Sequence, residues 1–325
     1  ACAGLLALRS PPSCGMRLPE ARAGARRRRL YRHSFGMSIE LTVRRIAGSL
    51  KSMQDLVFLK LGGSVLTDKT RPEALDESTL ARVAGACAEV LRTSGAPRLL
   101  LGHGGGSFGH HWAHHYGTHL GVHDDRGWEG VVRVADAMSR LNREVVGRLL
   151  ESGVRAVSMQ PSASAIAERR TLVEMAIGPL QMLLEAGLVP VVYGDVIVDR
   201  QEGAMIASTE MIFGYLARHL RPRRIVLVGE AGVFTADPHS DPSAERIPVI
   251  DDTTVREVLR QTAGSHGVDV TGGMASKVRT MWGLVQASNG LEVLLVGPEP
   301  FMIMRALRGE MPVDGTVIRR ALPIG

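Results

Sequence analysis

The sequence predicts an α/β fold, a three-layer αβα sandwich on a mostly parallel central sheet, and three observations carry that expectation. From Asp55 onward, short apolar runs rich in β-branched residues alternate with longer stretches of helical period. Alternation of this kind gives parallel strands joined by crossover helices that cover both faces of the sheet. Glycine-rich segments punctuate the strand-to-helix junctions at Gly62-Gly63-Ser64, at Gly102–Gly109 and at Thr271-Gly272-Gly273. Finally, no solenoid repeat or low-complexity segment interrupts the chain after residue 52.

The elements follow in order. Asp55–Leu61 (DLVFLKL) reads as a buried strand. Asp76 caps a helix carrying Leu80, Val83, Ala84, Cys87, Val90 and Leu91 at apolar positions, and Gly95 stops it. Arg98–Leu101 is the second strand. A long helix runs from about Trp128 to Ser152, then a strand at Val154–Met159, a helix at Pro179–Ala186 and a strand at Leu188–Tyr193. Val196–Ile206 turns back on itself as a hairpin. Ser208–Leu220 is a helix, Arg224–Gly229 a strand, Asp251–Thr262 a helix, and Thr271-Gly272-Gly273 opens another. Glu292–Val296 and Gly315–Ile318 close the sheet.

The chain has 325 residues and a net charge of +6. Much of that excess sits in Arg17, Arg22, Arg26–Arg29, Arg32, Arg44 and Arg45, so the folded part shows no basic surplus that would call for nucleic acid. No apolar run approaches the roughly 18–20 residues of a membrane span. Cys2, Cys14 and Cys87 form no disulfide framework, which fits a reducing compartment and a cytoplasmic protein. Residues 1–52 are Ala-, Arg- and Pro-rich without periodicity, and read as a disordered extension to one folded domain at 53–325. Its composition leaves an organellar leader open as well.

A strand that runs into Gly62-Gly63-Ser64 brings backbone N–H groups, uncovered by any Cβ, to the carboxyl end of a sheet, where they can close on an anion. Lys60 and Lys69 bracket that turn. The second strand empties into Gly104-Gly105-Gly106, a second cradle of the same kind. The helix opened by Gly273 offers free N–H groups and a favourable dipole, with Lys277 one turn in. An ordinary turn explains any one of these junctions alone; the three together, with three lysines, fit a chain of phosphates passing from donor to acceptor. Seven of the eleven histidines fall between His103 and His123. His110/His114 and His111/His115 have zinc-compatible spacing. However, no cysteine joins them, and a polar helix beside a phosphate site accounts for them, with no metal bound directly by the protein.

The ordered segments KLGGSVLTDK (60–69), GHGGGSFGH (102–110), VVYGDV (191–196), AGVFTADP (231–238) and TGGMASK (271–277) resemble the amino acid kinase superfamily, and within it the isopentenyl phosphate kinase family. The resemblance spans about Asp55 to Arg320. It implies an amino acid kinase-like fold whose half up to about residue 195 binds the acceptor and whose later half binds the nucleotide. It implies ATP and Mg²⁺ as cofactors, isopentenyl phosphate as substrate, and a homodimer. By the same resemblance, Lys60, Gly62, Gly63 and Ser64 hold the ATP phosphates and Lys69 stabilises the transferring phosphoryl group. Gly105, Gly106 and His110 hold the acceptor phosphate, with Gly106 shared with ATP and Gly194 nearby. Asp195 lies on the phosphate or magnesium side, Phe234 and Asp237 flank the base, and Gly273 and Lys277 meet the terminal phosphates. Ser208-Thr209-Glu210 stands where relatives carry an acidic pair, and Glu230-Ala231-Gly232 where they carry Asp-Gly. Val131, Val132, Ala135 and Met138 are candidates to line a prenyl pocket, or equally to pack the core. A phosphonate kinase, such as one acting on fosfomycin, and a non-catalytic nucleotide-binding regulator are the alternatives left open.

Overall fold

A computed structural model describes residues 55–68, 70–238, 240–262, 273–310 and 314–321. The expected extension at 1–52, Lys69, Thr271 and Gly272 lie outside the described residues.

β1 (Leu56–Leu61) leads through a single turn, α1 (Gly63–Leu66), into the small hairpin β2 (Thr67–Asp68) and β3 (Ala74–Leu75). There follow α2 (Glu77–Leu91), β4 (Arg98–His103), α3 (Gly106–Tyr116), α4 (Asp125–Glu151) and β5 (Ala156–Ser158). A hairpin, β6 (Ile166–Glu168) and β7 (Thr171–Glu174), precedes α5 (Gly178–Glu185), β8 (Val189–Tyr193), β9 (Asp195–Asp199) and β10 (Gly203–Ala207). The second half comprises α6 (Thr209–Leu220), β11 (Arg224–Val228), the pair β12 (Val233–Phe234) and β13 (Arg246–Ile247), β14 (Val249–Ile250) and α7 (Val255–Thr262). It ends with α8 (Gly273–Ala287), β15 (Glu292–Val296), α9 (Pro300–Arg308) and β16 (Gly315–Ile318).

Eight strands form the main sheet in the order β14-β16-β15-β11-β1-β4-β8-β5. The run from β15 through β5 is parallel, and β16 pairs antiparallel to β15. Side-chain alternation along β1 creates the three layers. Val57, Leu59 and Leu61 pack with α2, α3, α4 and α9, while Leu56 and Phe58 pack with α5 to α8. Phe58 meets Phe213 of α6 with ring centroids 5.0 Å apart. The expected sandwich is therefore the fold observed.

Several boundaries move for local reasons. The long helix starts at Asp125 because the Asp124 side chain accepts from Gly127 N at 2.7 Å, so its cap lies a turn earlier than the apolar stripe suggests. α7 starts late because the Asp251 carboxylate ties Thr253 and Thr254 into a turn first. The β6–β7 hairpin, with the non-glycine residues Arg169 and Arg170 at positive φ, and α9 were not expected from the sequence. β6 joins β7, β9 and β10 in a second sheet of order β10-β9-β6-β7.

The chain leaves β1 to one side toward β4 and builds its second half on the other side, against β11. β1 is thus a topological switch point, and the crevice beyond its carboxyl end is the expected ligand position in an open α/β sheet.

Candidate active site

At that edge each strand is followed by a glycine whose N–H continues the ladder to the neighbouring strand. Gly62 donates to Val228 O (2.8 Å), Gly104 to Leu61 O (2.9 Å), Gly194 to His103 O (3.0 Å) and Gly229 to Val296 O (2.9 Å). The loops after β1 and β4 interlock. A Cβ on Gly63 would lie 2.3 Å from Gly106 N, and one on Gly104 would lie 2.8 Å from Gly63 N. Gly106 has φ +49°, and a Cβ there would sit 2.0 Å from Thr67 Oγ1. Thr67 rivets the loops together: Oγ1 donates to Gly63 O (2.8 Å) and accepts from Ser107 N (2.9 Å). The backbone N–H groups of Gly63, Ser64, Gly105 and Gly106 have no hydrogen-bond partner among the described residues. Four bare donors at two abutting helix starts make a concavity suited to anionic oxygen.

Lys60 ends β1 beside this concavity, and its ammonium contacts Glu210 Oε1 at 2.8 Å. Burial works to raise the Glu210 pKa, but Lys60, with help from Lys277, outweighs it and holds the carboxyl below its usual value. Two of the three lysines singled out in the sequence thus converge on one carboxylate. The sequence showed Ser208-Thr209-Glu210 only as a departure from an acidic pair; in the structure the stretch positions the site. Ser208 caps α6 by accepting from Met211 N at 3.2 Å, Thr209 Oγ1 donates to His103 O at 2.6 Å, and Glu210 meets the lysines.

His110 is exposed on α3. The helix begins at Gly106, so His110 lies one turn inside it rather than at its start, which corrects the expected loop boundary. The i, i+4 relation places it over Gly106, and helical side chains lean toward the N-terminus, here toward the bare N–H groups. α3 packs on α4 through Gly105 and Gly109, where Cβ atoms would meet Met138 Sδ at 3.0 and 2.8 Å. Met138 is therefore buried core, Val131 and Ala135 are partly buried, and Val132 is exposed. From the other side Trp112 Nε1 donates to Glu73 Oε1 at 2.6 Å, and Glu73 also pairs with Arg140 of α4. Nothing in the sequence signalled this clamp, since Glu73 and Arg140 are far apart in the chain.

Gly194 sits in the strand-end ladder beside His103. Asp195 is fully buried, with its two oxygens accepting from Ser162 N (3.1 Å) and Val196 N (2.9 Å). Through these two bonds the carboxylate anchors the start of β9. Burial pushes its pKa up to about 6, against which the hydrogen bonds act only in part. A raised carboxylate pKa favours the folded state while the group is protonated, and the benefit is lost as pH rises from the unfolded value near 4 to about 6. Relative to Asp195→Asn, the wild-type melting temperature is expected to fall across that window, by a stability difference of about 3 kcal/mol at most. A pH-independent difference between the two melting curves would contradict this.

In the second half, Phe234 is half-buried with the Arg246 guanidinium 5.5 Å from its ring centroid, so one ring face is already covered. Asp237 is exposed in a turn, where its carbonyl accepts from Ser240 N and Asp241 N. Gly273 starts α8 with φ +66°. Among the described residues, no group of three His, Cys, Asp or Glu could hold a metal ion.

Residues 55–296 match the amino acid kinase family, and the chain belongs to that family. Among its relatives are the isopentenyl phosphate kinases of Methanothermobacter thermautotrophicus, 36% identical over 272 residues, and Haloferax volcanii, 39% identical over 267. Each match covers 81% of this chain and 98% of the relative. The fold is similar to a solved isopentenyl phosphate kinase with a TM-score of 0.69 at 32% identity, covering 81% of this chain and 99% of the other. It is similar also to an isopentenyl phosphate kinase crystallised as a substrate complex, with a TM-score of 0.63 at 27% identity.

Proposed function

We propose that this chain is an ATP-dependent phosphotransferase that converts isopentenyl phosphate to isopentenyl diphosphate. The observation that carries the reading is the pair of interlocked glycine loops, with Lys60, Glu210 and Lys277 on one side and the His110-bearing helix on the other. Two phosphates brought to the opposite sides of one backbone junction are poised for in-line transfer. An oxygen of the acceptor phosphate attacks the γ-phosphorus of ATP; the new P–O–P bond forms as the β–γ bridge breaks, and ADP leaves with the bridging oxygen's electron pair. The acceptor is already anionic at neutral pH, so no strong base is required. The protein's contribution is positioning and positive charge. Lys60 and Lys277 face the donor, Lys69 is assigned to the moving group, and the N–H groups of Gly105 and Gly106 with His110 hold the acceptor.

Magnesium would enter with the nucleotide, on the side of the site lined by Lys60 and Lys277. It would supply neutralisation of the charge on the nucleotide phosphates beside these lysines. The same reading assigns acceptor binding to the half before about residue 195 and nucleotide binding to the half after it. It places the enzyme in isoprene biosynthesis in the cytoplasm. Among the described residues no helix is long and apolar enough to cross a membrane. The exposed Trp128 and Val132, one turn apart on α4, offer an apolar stripe for a second copy in a homodimer.

ADP release measured with isopentenyl phosphate, fosfomycin, uridine monophosphate and no acceptor tests the assignment. Isopentenyl phosphate is expected to be preferred by a wide margin; preference for the phosphonate, or equal release without acceptor, would overturn it. His110→Ala is expected to lower kcat/KM for isopentenyl phosphate by about 100-fold, with the KM for ATP nearly unchanged. His111→Ala, His114→Ala and His115→Ala remain active as controls. A His110→Ala variant that loses only thermal stability would assign that ring to packing.

A further inference from the structure

We infer that His103 is a positioning residue for the acceptor phosphate, acting through the peptide between Gly104 and Gly105. The inference rests on the assignment of Gly105 and Gly106 to that phosphate. His103 ends β4 and is wholly buried, a histidine that the transfer chemistry does not use. Its backbone is fixed: its carbonyl accepts from both Thr209 Oγ1 (2.6 Å) and Gly194 N (3.0 Å). Its ring stacks on Tyr193 with centroids 5.3 Å apart and planes at 15°. The ring nitrogens face two oxygens, Nδ1 lying 3.1 Å from Gly104 O and Nε2 3.3 Å from Asn142 Oδ1. Asn142 of α4 is bonded in turn to Ser158 Oγ at the end of β5 (2.6 Å), so a buried polar post runs from the loop across the sheet edge.

Burial lowers the ring pKa to about 4, so the imidazole is neutral and carries one proton. A neutral ring can donate from one nitrogen only. The Gly104 carbonyl cannot change its role, whereas the Asn142 amide can turn to present its NH₂ to Nε2. The proton therefore belongs on Nδ1, donated to Gly104 O. Because the peptide is planar and trans, drawing the Gly104 carbonyl toward the ring aims the Gly105 N–H the opposite way. That N–H is one of the four without a partner among the described residues. Gly104 and Gly105 lack any side chain to hold this orientation, so the neighbouring ring supplies the restraint.

Two polar variants separate this from a general structural role. Asn at 103 places its amide nitrogen where Nδ1 stood, and Gln places its own near Nε2. His103→Asn is expected to keep the KM for isopentenyl phosphate near the wild-type value. His103→Gln raises it about tenfold, the scale of one lost hydrogen bond, with the KM for ATP unchanged in both. Hydrogen exchange gives a readout without turnover: amides of residues 104–109 should exchange faster in His103→Gln than in His103→Asn. Equal acceptor KM values and equal exchange in the two variants, or a parallel rise in the KM for ATP, would overturn the inference. If the wild-type chain does not use isopentenyl phosphate, the acceptor assignment fails, while the exchange comparison still decides whether His103 sets the loop.

Discussion

Gly63→Ala is expected to lower kcat/KM by at least about 100-fold, the scale of a misplacement near 1 Å at a transfer site. The added methyl would sit 2.3 Å from Gly106 N and 2.7 Å from Gly106 Cα. Both are backbone atoms, so no rotamer change can relieve the clash. The loops after β1 and β4 must part, which breaks the Thr67 rivet and turns the bare N–H groups away from one another. Thermal stability should fall too, since Gly63 O and Ser107 N lose their shared partner. Gly85→Ala is the control for the substitution itself. It lies exposed inside α2 with nothing within 4 Å of the new Cβ. It should gain about 0.5–1 kcal/mol from helix propensity without altering turnover. A Gly63→Ala enzyme with wild-type kinetics would show that the two loops need not touch.

Lys60→Ala is expected to reduce turnover by about 10²- to 10³-fold, as for the loss of one preorganised electrostatic contact. It should also destabilise the fold, because the largely enclosed Glu210 carboxyl would lose the main cation that offsets its burial and keep only Lys277. Stability and catalysis then separate in a double variant. Lys60→Ala with Glu210→Gln removes both charges and should recover much of the melting temperature while remaining inactive. Recovery of activity along with stability would mean that Lys60 serves only to neutralise Glu210.

The layer architecture was legible because periodicity and glycine spacing are local signals: the apolar run Leu56–Leu61 leads directly into Gly62-Gly63. The two glycine loops were legible as cradles for the same reason. Their interlock was not, because it depends on β1 and β4 being adjacent and in register, with Leu61 opposite His103. Glu210 was visible only as an unusual residue; its pairing with Lys60 depends on α6 starting beside the end of β1. The Glu73–Trp112–Arg140 clamp and the partners of the His103 post are likewise products of topology, joining residues far apart in the chain. The Arg169-Arg170 turn was missed because both adopt positive φ without being glycine, so no punctuation marks the hairpin. Asp195 was legible as a residue near the site, but its burial and its use as an anchor were not.

The phosphorus NMR spectrum of a reaction mixture tests most directly that the acceptor's own phosphate is the nucleophile. With the full chain, magnesium, ATP and isopentenyl phosphate, the monoester resonance should be replaced by two coupled diphosphate resonances, in step with the appearance of ADP. ADP accumulating with free inorganic phosphate while the monoester signal stays unchanged would contradict the account.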